Sequence, residues 1–177
     1  MKRYAVLVAG VALASAMVLA QKTTDVHPGK AGSPHVRTAW TIDGAAISIE
    51  YGRPFVKGRP ITQVAPYGQE WRTGADEATT LVTSRPLKFG TLSVPAGTYT
   101  LYTVPGEQEW QLVVSKRTGQ WGVPYPAGQD LGRAPMKVDK AKAPSDQLTI
   151  SIDDTAAGGT LRVQWGNTVA SIPFTVG

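Results

Sequence analysis

The sequence predicts an all-β fold, an antiparallel β-sandwich or jelly-roll-like single domain. Three observations carry that expectation. Short stretches in which apolar and polar residues alternate with a period of two recur along most of the chain. Turn signals separate them, from 19 Gly and 13 Pro among 177 residues. No segment after residue 20 keeps a helical period for three turns. About nine short strands divided by such turns suit two packed layers of antiparallel β-structure.

Residues 1–20 read as an export signal. Lys2 and Arg3 precede an apolar run from Tyr4 through Leu19, with small residues at Ala14, Ser15, Ala16 and Ala20. Cleavage is expected after Ala20, with Ala16 as the alternative. The apolar run is shorter than the roughly 20 residues of a membrane-spanning helix, so no integral membrane segment is expected in the mature chain. A periplasmic or secreted location follows as the expectation. Residues 21–32 are polar and broken by Pro28, Gly29 and Gly32, which predicts a flexible leader; the β-sandwich domain is assigned to residues 33–177.

The whole chain has Lys+Arg 18 against Asp+Glu 13. Setting aside Lys2 and Arg3 leaves a mildly basic balance of +3 with no long run of like charge. That excludes a nucleic-acid footprint. With Cys 0, disulfides and thiolate sites are excluded, and stability rests on the core. A chain of this size buries roughly 70% of its unfolded surface, enough for one core.

Val36 to Ile42 and Ala45 to Tyr51 flank Asp43-Gly44, a loop suited to a two-residue hairpin. The implied register pairs Ile42 with Ala45, Trp40 with Ile47, Thr38 with Ile49 and Val36 with Tyr51 on a buried face. On the other face it sets Arg37 opposite Glu50. Gly52 to Glu70 holds Pro54, Pro60 and Pro66, which predicts a long loop with at most a short strand near Ile61. Ala78 to Thr83 and Leu87 to Val94 read as strands, the second with a bulge at Gly90.

Thr98 to Val104 and Trp110 to Lys116 predict a second hairpin, followed by a Gly/Pro loop over residues 118–135. Met136 to Lys142 reads as an edge strand guarded by Lys137, Lys140 and Lys142. Leu148 to Ile152 alternates, and Gly166-Asn167 is expected to close a hairpin that pairs Trp165 with Thr168, Val163 with Ala170 and Leu161 with Ile172.

Several islands resemble a known family: Ser33-Pro34-His35, Tyr51-Gly52-Arg53-Pro54, Lys57-Gly58-Arg59, Pro66-Tyr67-Gly68, Trp71 through Thr79, and Pro95-Ala96-Gly97-Thr98-Tyr99. Together they resemble the bacterial domain-of-unknown-function 2911 family of exported proteins. The resemblance spans nearly all of the chain after the signal. It implies export and a β-rich single domain, and it assigns no catalytic role to any residue.

The chemistry concentrates in Pro66 to Thr80, where Trp71, Arg72, Asp76 and Glu77 crowd around the Gly74-Ala75 joint. Arg53, Lys57, Arg59 and Arg72 each sit beside a glycine, a proline or a turn, as suits guanidinium binding of carboxylate or phosphate. Tyr67 and Trp71 offer rings for stacking on a sugar, and Trp121 is a further candidate; Trp40, Trp110 and Trp165 fall on alternating apolar faces and are expected in the core.

Asp76 and Glu77 suggest a two-carboxylate hydrolase, but neighbours in an extended segment point to opposite faces unless the backbone kinks. Arg72 is expected to reach a carboxylate, Glu77 first and Glu70 second. His27 and His35 are the only histidines, and with His27 in the leader no metal centre is assigned, nor any other cofactor. The candidate ligand site is thus Arg53, Lys57, Arg59, Tyr67, Trp71, Arg72, Asp76 and Glu77, taking a small polar or anionic ligand such as a glycan fragment. The alternatives are a hydrolase using Asp76 or Glu77 with Arg72, and a structural envelope protein.

Overall fold

The computed structural model describes residues 21–30 and 32–177. The expected export signal lies outside the described residues. In chain order the elements are β1 (Lys22–His27), β2 (His35–Ile42), β3 (Ala45–Gly52), α1 (Ile61–Val64), β4 (Thr80–Thr83), β5 (Leu87–Phe89), β6 (Leu92–Val94), β7 (Gly97–Val104), β8 (Glu109–Ser115), β9 (Asp130–Thr155) and β10 (Gly158–Val176). All strand pairs are antiparallel, and they form one 10-stranded sheet in the order β1-β2-β3-β4-β7-β8-β9-β10-β5-β6. The layers expected of a sandwich therefore belong to a single sheet that bends over itself.

The bend brings the chain just after β3 against the second half of β9. Val56 donates its backbone N–H to Asp146 and Leu148 donates to Pro54, around an isolated bridge between Phe55 and Gln147. The enclosed face holds the core. Trp40, Ile47 and Ile49 share it with Leu112, Met136, Ile150, Leu161 and Trp165. Among the described residues no helix is long and apolar enough to cross a membrane.

The β2-β3 hairpin has the register that its alternation dictates, from Ile42 opposite Ala45 to Val36 opposite Tyr51. Asp43 and Gly44 both take positive φ, 47 and 76°, as a tight two-residue loop between right-twisted strands requires. Arg37 Nη2 lies 2.6 Å from Glu50 Oε2 on the outer face. The β7-β8 hairpin likewise pairs Thr100 with Ser115 through Val104 with Gln111.

Other elements differ from the sequence reading. Lys22 to His27, expected as a flexible leader, is a strand on β2. Its residues are all exposed, so no apolar period betrays it; backbone pairing, a Thr23–Thr38 hydroxyl contact and the stacking of His27 on His35 hold it. Near Ile61 the chain makes one helical turn rather than a strand, opened by Pro60. Gly90 is no bulge within a strand: Phe89 faces Leu92 across a Gly90-Thr91 turn, with Gly90 at φ 60°.

Met136 to Lys142 is interior rather than an edge, because Met136 and Lys137 pair with β8 while Lys137 to Lys140 pair with β10. The Gly166-Asn167 hairpin does not form. Gly166 (φ 55°) instead marks a bulge in the continuous β10, with register shifts on either side of it. The shift swaps the inward parity, so Leu161, Val163 and Trp165 are buried before it and Ala170, Ile172 and Phe174 after it. Two inward-facing runs of opposite parity read locally as two strands of a hairpin.

Candidate functional site

The segment from Pro66 to Thr80 lies along β7. Trp71 and Thr103 exchange both backbone hydrogen bonds, and Leu101 donates its N–H to the carbonyl of Thr79. The indole of Trp71 points inward, 6% exposed, edge-on to Trp110 at 6.1 Å and to Trp165 at 6.2 Å. Trp71 is thus a core residue, and its expected role as a stacking platform is corrected. An aromatic ring carries more apolar surface than a ligand contact on a rim needs, and burying it anchors the motif to the core.

After Trp71 the backbone is sharply kinked. Thr73 and Asp76 hold φ of 52 and 60°, an unusual conformation for side-chain-bearing residues and most so for a β-branched threonine. Internal hydrogen bonds hold it. Thr73 Oγ1 bonds the Trp71 carbonyl at 3.1 Å and pairs with Thr103 Oγ1 at 3.0 Å, while Thr79 Oγ1 donates to the Thr73 carbonyl at 3.0 Å. Gly52 permits the loop to close on β3, since a Cβ there would stand 2.5 Å from the Ala75 carbonyl oxygen and 2.6 Å from His35 Nε2.

The kink turns the Asp76 and Glu77 carboxylates toward one point, which an extended chain would not do. His35 Nε2 lies 3.2 Å from Glu77 Oε2 and 3.6 Å from Asp76 Oδ2. His35 itself is 1% exposed, and its Nε2 makes no hydrogen bond. Across the β1-β2 pairing His27 faces His35, the two rings stacked at 4.2 Å, and His27 Nε2 is 3.7 Å from Glu77 Oε2. Asp76 Oδ2 accepts the backbone N–H of Lys30 at 3.0 Å, and the Lys30 ammonium lies over the exposed ring of Trp121 at 4.7 Å.

This cluster escaped the sequence reading because a segment taken as leader was not credited with cross-strand neighbours. The one signal for it was His35 within the Ser33-Pro34-His35 island.

On the other side of Asp76 a pocket of about 360 Å³ is lined by Lys57, Arg59, Arg72, Pro54, Phe55 and Asp76, among others. Arg59 donates to the carbonyls of Val56 and Phe55, and its guanidinium lies 5.7 Å from the Trp165 ring. Arg72 donates to the carbonyls of Gly74 and Asp76. The expected contact of Arg72 with Glu77 or Glu70 is therefore corrected: the partner of Glu70 is Arg133, at 3.1 Å.

Arg53 lies outside the pocket lining, donating to the Leu148 carbonyl and to Thr149 Oγ1, where it ties the end of β3 to β9. Tyr67 is exposed in its turn and also apart from the pocket. A larger cavity of about 420 Å³ lies by β2, β3 and β4, but Lys22 is its one ionisable lining residue.

Two groupings thus emerge from the predicted residues: Lys57, Arg59, Arg72 and Asp76 around one pocket, and Glu77 with Asp76 around His35. Together they describe an all-antiparallel β protein with a cationic pocket backed by a histidine-carboxylate cluster. The chain belongs to the family described as "Protein of unknown function (DUF2911)", whose model matches residues 33–174. No curated protein matches the chain, and no solved structure does.

Proposed function

We propose that the protein acts outside the cytoplasm, after export, and binds a small anionic ligand of the carboxylate or phosphate class in the pocket of Lys57, Arg59 and Arg72. The carrying observation is charge. Three cations line one pocket, and among the described residues none of them is paired with a carboxylate. The two guanidiniums spend some N–H groups on backbone carbonyls, which fixes their planes and leaves others for a ligand. Charge-assisted bonds from such forks are short and roughly twice as strong as neutral ones. The volume falls in the range of about 300–1,000 Å³ usual for small-molecule sites.

A glycan fragment enters this reading only through an acidic group, since the buried Trp71 offers no stacking face.

Thermal denaturation with inorganic phosphate and with citrate tests the proposal. A ligand at about 100 times its Kd stabilises the fold by about 2.7 kcal/mol, and Lys57→Gln should shrink that shift without lowering the ligand-free melting temperature. Turnover of ester or glycoside substrates dependent on Glu77 would favour the hydrolase reading instead. Neither shift nor turnover would favour a structural envelope protein.

A further inference from the structure

The histidine-carboxylate cluster has a geometry that hydrogen bonding does not explain. His35 Nε2 is buried and lacks a hydrogen bond, although two carboxylate oxygens stand 3.2 and 3.6 Å away. A buried polar nitrogen left without a partner is costly to the fold. Three side chains have been brought to the same point from three stretches of chain, His27 from β1, His35 from β2 and Glu77 from the kinked loop, and the Asp76 carboxylate adds negative charge beside His35.

The spacings suit a cation at the centre. Bonds of about 2.0–2.1 Å to nitrogen and oxygen, set at tetrahedral angles, place neighbouring ligand atoms about 3.3 Å apart. The observed separations are 3.2 Å for His35 Nε2 to Glu77 Oε2, 3.6 Å for His35 Nε2 to Asp76 Oδ2 and 3.7 Å for His27 Nε2 to Glu77 Oε2. The ligand atoms of His27, His35 and Glu77 all lie within 4.8 Å of one another.

We infer that His27, His35 and Glu77 form a binding site for a first-row divalent cation of the zinc type, with the Asp76 carboxylate beside His35. Two imidazoles with one carboxylate, and a fourth position left open, favour such a borderline ion over magnesium or calcium, which take oxygen ligands almost throughout. The strained φ of Asp76 and the close approach of Gly52 to His35 Nε2 then have a common purpose, the fixing of donors around one point.

His27 changes state on binding. Its Nδ1 accepts the Gly29 N–H at 3.1 Å, which puts the proton of the neutral ring on Nε2. A metal at Nε2 shifts that proton to Nδ1, which can then no longer accept the Gly29 N–H, and with that contact broken the His27 ring turns out of its stack on His35 so that both Nε2 lone pairs face the ion. Glu77, with a side chain 47% exposed, lines a cavity of about 320 Å³ with Gln120, Trp121 and Thr80, which gives an ion a route from solvent.

The inference stands apart from anion binding, since its ligands include none of Lys57, Arg59 or Arg72.

The site has one buried ligand, His35, and two accessible ones, His27 and Glu77, so the accessible pair is varied to keep the fold. Chelator-treated protein is titrated with Zn²⁺ by calorimetry and with Co²⁺ by visible absorption. Expected are one equivalent of Zn²⁺ and the intense d–d bands of a four-coordinate Co²⁺ site. His27→Ala and Glu77→Gln should each weaken Zn²⁺ binding at least tenfold, with unchanged circular dichroism. Absence of stoichiometric binding by the wild type would overturn the inference, as would wild-type affinity in the double variant. Phosphate-induced melting shifts, read on the same variants without metal, report on the cationic pocket separately.

Discussion

The Tyr51 hydroxyl accepts the backbone N–H of Ile150 at 2.9 Å and donates back to the Ile150 carbonyl at 3.4 Å, so one side chain of β3 serves both main-chain groups of a residue on β9. These strands are four positions apart in the sheet order, and the contact exists only because the sheet bends over itself. Burial raises the Tyr51 pKa above its ordinary value, opposed by the Ile150 hydrogen bond and by Arg53. Tyr51→Phe keeps the ring and strands a buried N–H. Denaturant unfolding should show a loss of about 1–3 kcal/mol.

Arg37 and Glu50 make the closest contact of any ion pair on β2 and β3, yet the arginine side chain is 60% exposed. Solvent screening and side-chain entropy offset most of the Coulombic attraction. A double-mutant cycle of Arg37→Ala with Glu50→Ala should give a coupling of about 0.2–1 kcal/mol that fades with added salt.

Arg72 bonds carbonyls only, so its removal leaves no buried carboxylate without a partner. Arg72→Ala should therefore cost about 1–3 kcal/mol, below the roughly 3–5 kcal/mol of a broken buried ion pair. The Asp76 carbonyl keeps the Gly122 N–H at 3.0 Å, which limits the loss. The same variant should lose the phosphate-induced melting shift.

Tyr125 is pushed up to about 12, first by burial and then by its hydrogen bond to Asp130 and that carboxylate's charge, with Arg133 opposing. Arg133 is itself held more firmly protonated through hydrogen bonds to Asp130 and Glu70, against the opposing effect of burial. A phenol with a folded pKa above its unfolded value of about 10 favours the native state at lower pH. That contribution is complete below about pH 10 and is lost between about 10 and 12 as the unfolded chain, then the folded one, gives up the proton. Ultraviolet titration should find Tyr51 and Tyr125 ionising late, and Asp130→Asn should bring Tyr125 alone toward the ordinary value.

The β2-β3 hairpin was legible because every determinant is local: alternation over Val36 to Ile42 and Ala45 to Tyr51, a pair of residues that tolerate positive φ, and facing charges. The cationic pocket was legible in part. Lys57, Arg59 and Arg72 do meet, whereas Arg53 works as a tie to β9 and Trp71 as a core anchor, since burial of a side chain depends on what packs over it.

By itself the sequence determined the antiparallel β class, the hairpin register at Asp43-Gly44, the existence of the β7-β8 hairpin, and the inward faces of most strands, because a period-two pattern leaves one face apolar wherever the strand lies. Tertiary structure alone decided the rest. Whether Lys22 to His27 pairs depends on a free edge of β2, for its exposed residues carry no apolar pattern of their own. Whether Gly166 turns the chain or bulges it depends on a partner strand running past on both sides. Whether Asp76 and Glu77 converge depends on a strained φ that the hydrogen bonds around Thr73, Thr79 and Thr103 stabilise from outside the pair. The meeting of His27, His35 and Glu77 needed all such long-range contacts at once, since it joins residues that only the folded sheet makes neighbours.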